Sequence, residues 1–138
     1  MKLTVFSLAE ANRAVIEVRP RLERLVRAKK EYDRTQSRID VLAVALSGAG
    51  TDNPDRAELQ ELQDRRTQLG HDISEGTRAI QERGCLVKDL DLGLLDFYAI
   101  SGDRLIFLCW RLGEREVTHW HPLEGGFAAR QPLDASDL

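Results

Sequence analysis

The stretch Leu95-Asp96-Phe97-Tyr98-Ala99-Ile100-Ser101-Gly102-Asp103-Arg104-Leu105-Ile106-Phe107-Leu108-Cys109-Trp110-Arg111 decides the kind of fold this chain adopts. Leu95, Phe97 and Ala99 alternate with other residues before a Ser-Gly-Asp turn, and an apolar run bounded by two arginines follows it. This is the pattern of two paired strands, Leu95–Ile100 and Arg104–Arg111, joined by a tight turn. A second turn, Leu112-Gly113-Glu114-Arg115, leads to a third expected strand, Glu116 to His121, so the segment reads as an antiparallel β-meander. Residues Lys2 to Phe6 are a candidate for one further edge strand.

Turn length sets which side chains share a face. With two-residue turns centred on Gly102-Asp103 and Gly113-Glu114, one face carries Leu95, Phe97, Ala99, Ile106, Leu108, Trp110 and Val117. This simplest register also puts His119 and His121 on that helix-facing side, and leaves Asp96, Tyr98, Cys109 and Thr118 on the other. One bulged residue in the second turn would move both histidines beside Asp96 and Cys109.

Upstream of Gly84 the period is that of helices. Ser7-Leu8-Ala9-Glu10 is a capping box. From it Leu8, Ala11, Val15, Val18, Leu22, Leu25, Lys29, Tyr32, Gln36, Ile39, Ala43 and Leu46 step by threes and fours, the spacing of a coiled-coil seam. Pro20 is expected to kink or split this helix near Val18, since it removes a backbone donor. Ser47 to Asn53 reads as a loop, and a second helix is expected from Pro54, with Leu59, Leu62, Arg66, Leu69, Ile73, Gly76 and Ile80 as its seam and Gly84 as its stop. The expected fold class is α+β: a long antiparallel, coiled-coil-like helical hairpin followed by a small antiparallel β-meander. A single domain over 1–138 follows, with hairpin 7–84, β head 85–133 and a flexible tail 134–138.

Apolar residues are 42% and charged residues 31% of the 138, which excludes a disordered chain. No apolar run is longer than that of Val41 to Leu46, far short of the roughly 20 residues of a membrane span, and MKLTVFSLAEAN has no signal-peptide core, so the expectation is a cytoplasmic protein without a membrane partner. Cys85 and Cys109 read as small buried residues and not as a disulfide. The formal charge of −3 argues against a generic nucleic-acid binder. Its distribution is uneven: eight bases, Arg19, Arg21, Arg24, Arg27, Lys29, Lys30, Arg34 and Arg38, face three acids between positions 19 and 38, while the segment after Cys85 is acidic.

The words FSLAEAN, VKDLDLGLLDF, LCWRLGE, HWH and GFAARQPL, in that order from Val5 to Leu133, resemble the bacterial family known as domain of unknown function 2203. The resemblance implies no activity, substrate or cofactor. Tyr98, where the pattern has proline, and Ala129, where it has glycine, depart from it.

Chemistry has one evident place to occur. On a strand His119 and His121 point the same way, at a separation that suits one metal ion, and Asp89, Asp91 or Asp96 is the carboxylate expected to complete the set. Two imidazoles and a carboxylate favour zinc or iron as the divalent cofactor. Against this, Asp89 is equally readable as the partner of Arg104, Arg111 or Arg130, Asp91 as a turn cap, and the histidines as packed side chains. His71 lies off the second seam, on the solvated side, and Gly125-Gly126 lacks the following helix a phosphate loop needs. Two functions follow: an assembly or adaptor module acting through helix association, expected as a homodimer through the helices or paired there with another protein, or a metal-dependent enzyme or metal-binding protein with its site in the β head.

Overall fold

The computed structural model describes residues 3–48 and 53–134, so the tail from 135 onward, residues 49–52 of the interhelical loop and Lys2 lie outside the described residues. Helix α1 (Leu8–Ala45) starts where the capping box puts it: Ser7 Oγ accepts from the Glu10 amide at 3.1 Å, and Glu10 Oε1 accepts from the Ser7 amide at 2.9 Å. Two donors that a helix start leaves unpaired are thereby satisfied. The expected split at Pro20 does not occur, and α1 is one helix of 38 residues. Pro20 and Ile16, whose carbonyl loses its amide partner, both lie on the exposed side, where the cost of the missing bond is least.

Helix α2 (Asp55–Gln81) begins one residue later than expected, with Asn53 Oδ1 accepting from the Asp55 amide at 2.9 Å. It runs antiparallel to α1, and the cross-links Arg83 to Glu17, Arg65 to Glu31 and Arg38 to Glu58 step along the hairpin. Gly76 permits the close approach, since a Cβ there would meet Leu25 Cδ2 at 2.5 Å. The seam of α1 is buried as expected from Ala11 to Leu25 and then changes phase. Thr35 and Leu42 are buried, while Gln36 is half-buried and Ala43 exposed. Leucine removes more apolar surface from water than alanine, and Gln36 at the rim keeps polar partners in Arg66 and Asp40. Ile39, Leu42 and Leu46 are covered within the chain itself.

Gly84, at φ +99°, turns the chain from helix to sheet, and a Cβ there would sit 2.5 Å from Thr4 Cβ. Five antiparallel strands follow in sequence order: β1 (Leu86–Asp89), β2 (Leu94–Ser101), β3 (Arg104–Arg111), β4 (His119–Pro122) and β5 (Gln131–Pro132). The short edge strands β1 and β5 carry no alternation to read from the sequence. Among the described residues the opening segment, a candidate edge strand, forms no strand and meets the sheet through the Phe6 amide, which donates to the Tyr98 carbonyl at 2.7 Å.

The first hairpin has the expected register, with Ser101 opposite Arg104 and Asp96 opposite Cys109. The second does not: Cys109 faces His119 and not Thr118, a displacement of one residue, and the strand begins at His119 instead of Glu116. The cause is the loop between β3 and β4. Arg111's amide donates to Glu114 Oε1, Val117's amide to Asn12 Oδ1, and Arg19 Nη2 to the Arg115 carbonyl at 3.2 Å. Tied to α1 in this way, the loop takes one extra residue, and Val117 and Trp120, three apart, both reach the core. The helix-facing side of the sheet then packs Leu95, Phe97, Leu108 and Trp110 on Val15, Val18, Leu22 and Ile80.

Candidate metal centre on the face of the sheet away from the helices

The same parity that sends Leu95 and Phe97 into the core sends Asp96 to the opposite face, and the displaced register brings both histidines there. Placement of His119 and His121 on the helix-facing side is therefore corrected. The face is not open to solvent throughout, because the chain after Pro122 passes over it at Leu123, Gly126 and Phe127 before β5 joins the sheet edge. Asp96, Cys109 and His121 are only 3%, 1% and 2% exposed.

These three side chains converge. His121 Nε2 is 3.0 Å from Asp96 Oδ2, and Cys109 Sγ lies beside the same carboxyl. One ligand-type atom from each lies within 4.8 Å of the other two. His121 Nδ1 is 2.7 Å from the Pro122 carbonyl oxygen, which can only accept, so Nδ1 carries a proton and Nε2 faces the cluster. The ring also packs on Phe107, with centroids 5.3 Å apart. Above the cluster lies a cavity of about 260 Å³ walled by Lys88, Leu94, Leu123, Gly126 and Phe127.

Burial is the first influence on the Asp96 carboxyl and raises it above its ordinary value of 3.8, while His121 and then Lys88, whose ammonium is 3.9 Å away, pull the other way. Burial, and then the Asp96 charge, push the Cys109 thiol up to about 12. A thiol held neutral in this way is no nucleophile at neutral pH, but a metal ion can displace its proton.

Of the five residues singled out from the sequence, Asp96 and His121 are brought together. His119 is half-buried and turned toward Thr118 Oγ1 at 2.9 Å and Glu114 Oε2 at 3.9 Å. The roles of the other two aspartates are exchanged relative to expectation: Asp89 Oδ1 caps the turn by accepting from the amides of Asp91 and Leu92, and Asp91 pairs with Lys29 at 3.0 Å. Cys109 was missed as a site residue although the signal was present, since the two-residue first turn already sets it opposite Asp96. Cys85 and Cys109 are both buried and unbridged, and His71 is exposed, each as expected.

The profile of the family described as "Uncharacterized conserved protein (DUF2203)" matches residues 4–133, nearly the whole chain. The chain belongs to that family. No curated protein and no solved structure matches it.

Proposed function

We propose that this DUF2203 member binds one divalent transition-metal ion in its β head, through Asp96, Cys109 and His121, with an open coordination position facing the cavity above them. The observation that carries the reading is the burial of three unlike ligand types within 4.8 Å of one another. A thiolate, an imidazole and a carboxylate form a donor set for zinc or iron and a poor one for magnesium or calcium. The Nδ1–H bond to the Pro122 carbonyl is the outer contact that orients a metal-ligating histidine. Lys88 is the competing cation, but its ammonium is 3.9 Å from the carboxylate and its side chain is 42% exposed, so its hold on Asp96 is weaker than a metal ion's. Three protein ligands leave room for water or a small ligand, the arrangement of metal sites that do hydrolytic or redox chemistry.

The test is elemental analysis of the purified full chain, followed by cobalt titration of the metal-free protein. Stoichiometric metal and a thiolate-to-cobalt absorption band are expected. Cys109→Ser and His121→Ala should abolish the band, whereas His119→Ala should keep it. No metal and no band, or equal dependence on His119, would sink the proposal.

A second reading, an assembly module acting through the hairpin, is supported by Val41 and Val44, which are 59% and 78% exposed on one side of α1 near its end. Sedimentation at high micromolar concentration should give a dimer that Val41→Asp with Val44→Asp returns to monomer; a wild-type monomer overturns this reading.

A further inference from the structure

The basic stripe of α1 is unevenly neutralised. Lys29 is engaged by Asp33 and Asp91, and Arg38 by Glu58, yet among the described residues no carboxylate pairs with Arg24, Arg27, Lys30 or Arg34. Spacings of three, three and four residues keep these four cations on one side of the helix, over about 15 Å at a rise of about 1.5 Å per residue. They border two grooves that share Arg27 and Lys30. One, of about 530 Å³, runs between α1 and the loop from Leu112 to Arg115, where Arg19 and Arg115 add charge; the other, of about 480 Å³, runs between α1 and α2 and takes in Arg24 and Arg34. Two of the acids in these walls are already committed, Glu31 to Arg65 and Glu114 to Arg130. Glu23 and Asp72 also line the walls, so seven bases face four acids across the two grooves, a local positive excess on a chain whose net charge is −3.

We propose that this face docks the phosphate backbone of duplex nucleic acid. Its lining decides between partners. A protein partner needs a buried apolar or aromatic anchor, and none of the exposed large hydrophobic residues, Ile16, Val41 and Val44 among them, borders either groove. A single strand needs aromatic platforms for its bases, and no aromatic residue lines the grooves. A duplex backbone needs only spaced cations, and cations contacting phosphates alone give binding without sequence preference. Net charge is a poor guide here because screening confines the effect of the acidic sheet to about 10 Å.

Anisotropy of a labelled mixed-sequence duplex of about 20 base pairs, titrated with the full chain, tests the inference. With four phosphate contacts, affinity should fall about 100-fold as salt rises from about 50 to about 200 mM. Arg24→Gln, Arg27→Gln, Lys30→Gln and Arg34→Gln combined should cost a similar factor at low salt while circular dichroism keeps its helical signal, and Arg78→Gln on α2 should change nothing. The proposal fails if the duplex does not bind at about 50 mM salt. It fails equally if the fourfold variant binds as the wild type does, or if polyglutamate competes as well as duplex, which would place an acidic protein on this face.

Discussion

The two faces of the β-sheet are made from the same strands, residue by residue in alternation, and differ in almost everything else. The helix side is continuous hydrocarbon: Leu95, Phe97, Ala99, Ile106, Leu108 and Trp110 meet α1 and the end of α2 without a titratable group among them. The other side buries an aspartate, a thiol and an imidazole beneath a short C-terminal cover. Burial on the first side stabilises by removing apolar area from water. On the second it has a desolvation cost, offset by the hydrogen bonds from His121 to Asp96 and to the Pro122 carbonyl and by the nearby Lys88 ammonium. A protein that keeps such a group has placed there chemistry that an apolar core lacks, and the contrast makes each face separately testable.

The largest effect is expected on the apolar face. Phe97→Ala removes a ring with no exposure that packs edge-on against Phe6, and should cost about 3–5 kcal/mol in denaturant unfolding. A loss below about 1 kcal/mol would mean that the helix-facing side is not the main source of stability.

A smaller, pH-dependent effect belongs to the polar face. His121→Ala leaves the Asp96 carboxyl buried without its ring partner, and should cost about 2–3 kcal/mol near neutral pH. Burial holds that carboxyl above its ordinary value, so its contribution to folding is complete below 3.8 and is lost as pH rises through the folded value. Removing His121, the strongest of the opposing influences, raises the folded value further. The penalty of the variant should therefore be least in acid and grow toward neutral pH. Unfolding free energies of the metal-free protein measured between about pH 4 and pH 7 check this, and a penalty that shrinks as pH rises would break the assignment of Asp96 as a group that folding prefers protonated when no metal is bound.

Much of the frame was readable because it depends on local chemistry. Ser7 and Glu10 satisfy each other three residues apart, Gly84 and Gly102 stand where the chain must turn, and Ala11 to Leu25 keep one helical face. Two of the five expected site residues converge, and the third member, Cys109, carries in the sequence only the mark of a small buried residue. Strands β1 and β5 escaped notice because four and two residues carry no period. Asp89 and Asp91 exchanged expected roles because a turn cap and an ion pair ask for the same side chain, and only the position of Lys29 on α1 separates them.

By itself the sequence determined the change of period at Gly84, from helix to strand, together with the capped start of α1 and the first hairpin's register, all of which follow from contacts between near neighbours in the chain. The side of the sheet that carries His119 and His121 was decided only by tertiary structure. Strand faces are a matter of parity, and a single residue absorbed in a loop reverses it. That residue is absorbed between Leu112 and Thr118 because Asn12 and Arg19 bind the loop's backbone from 105 and 96 residues away, a distance across which no local pattern carries information.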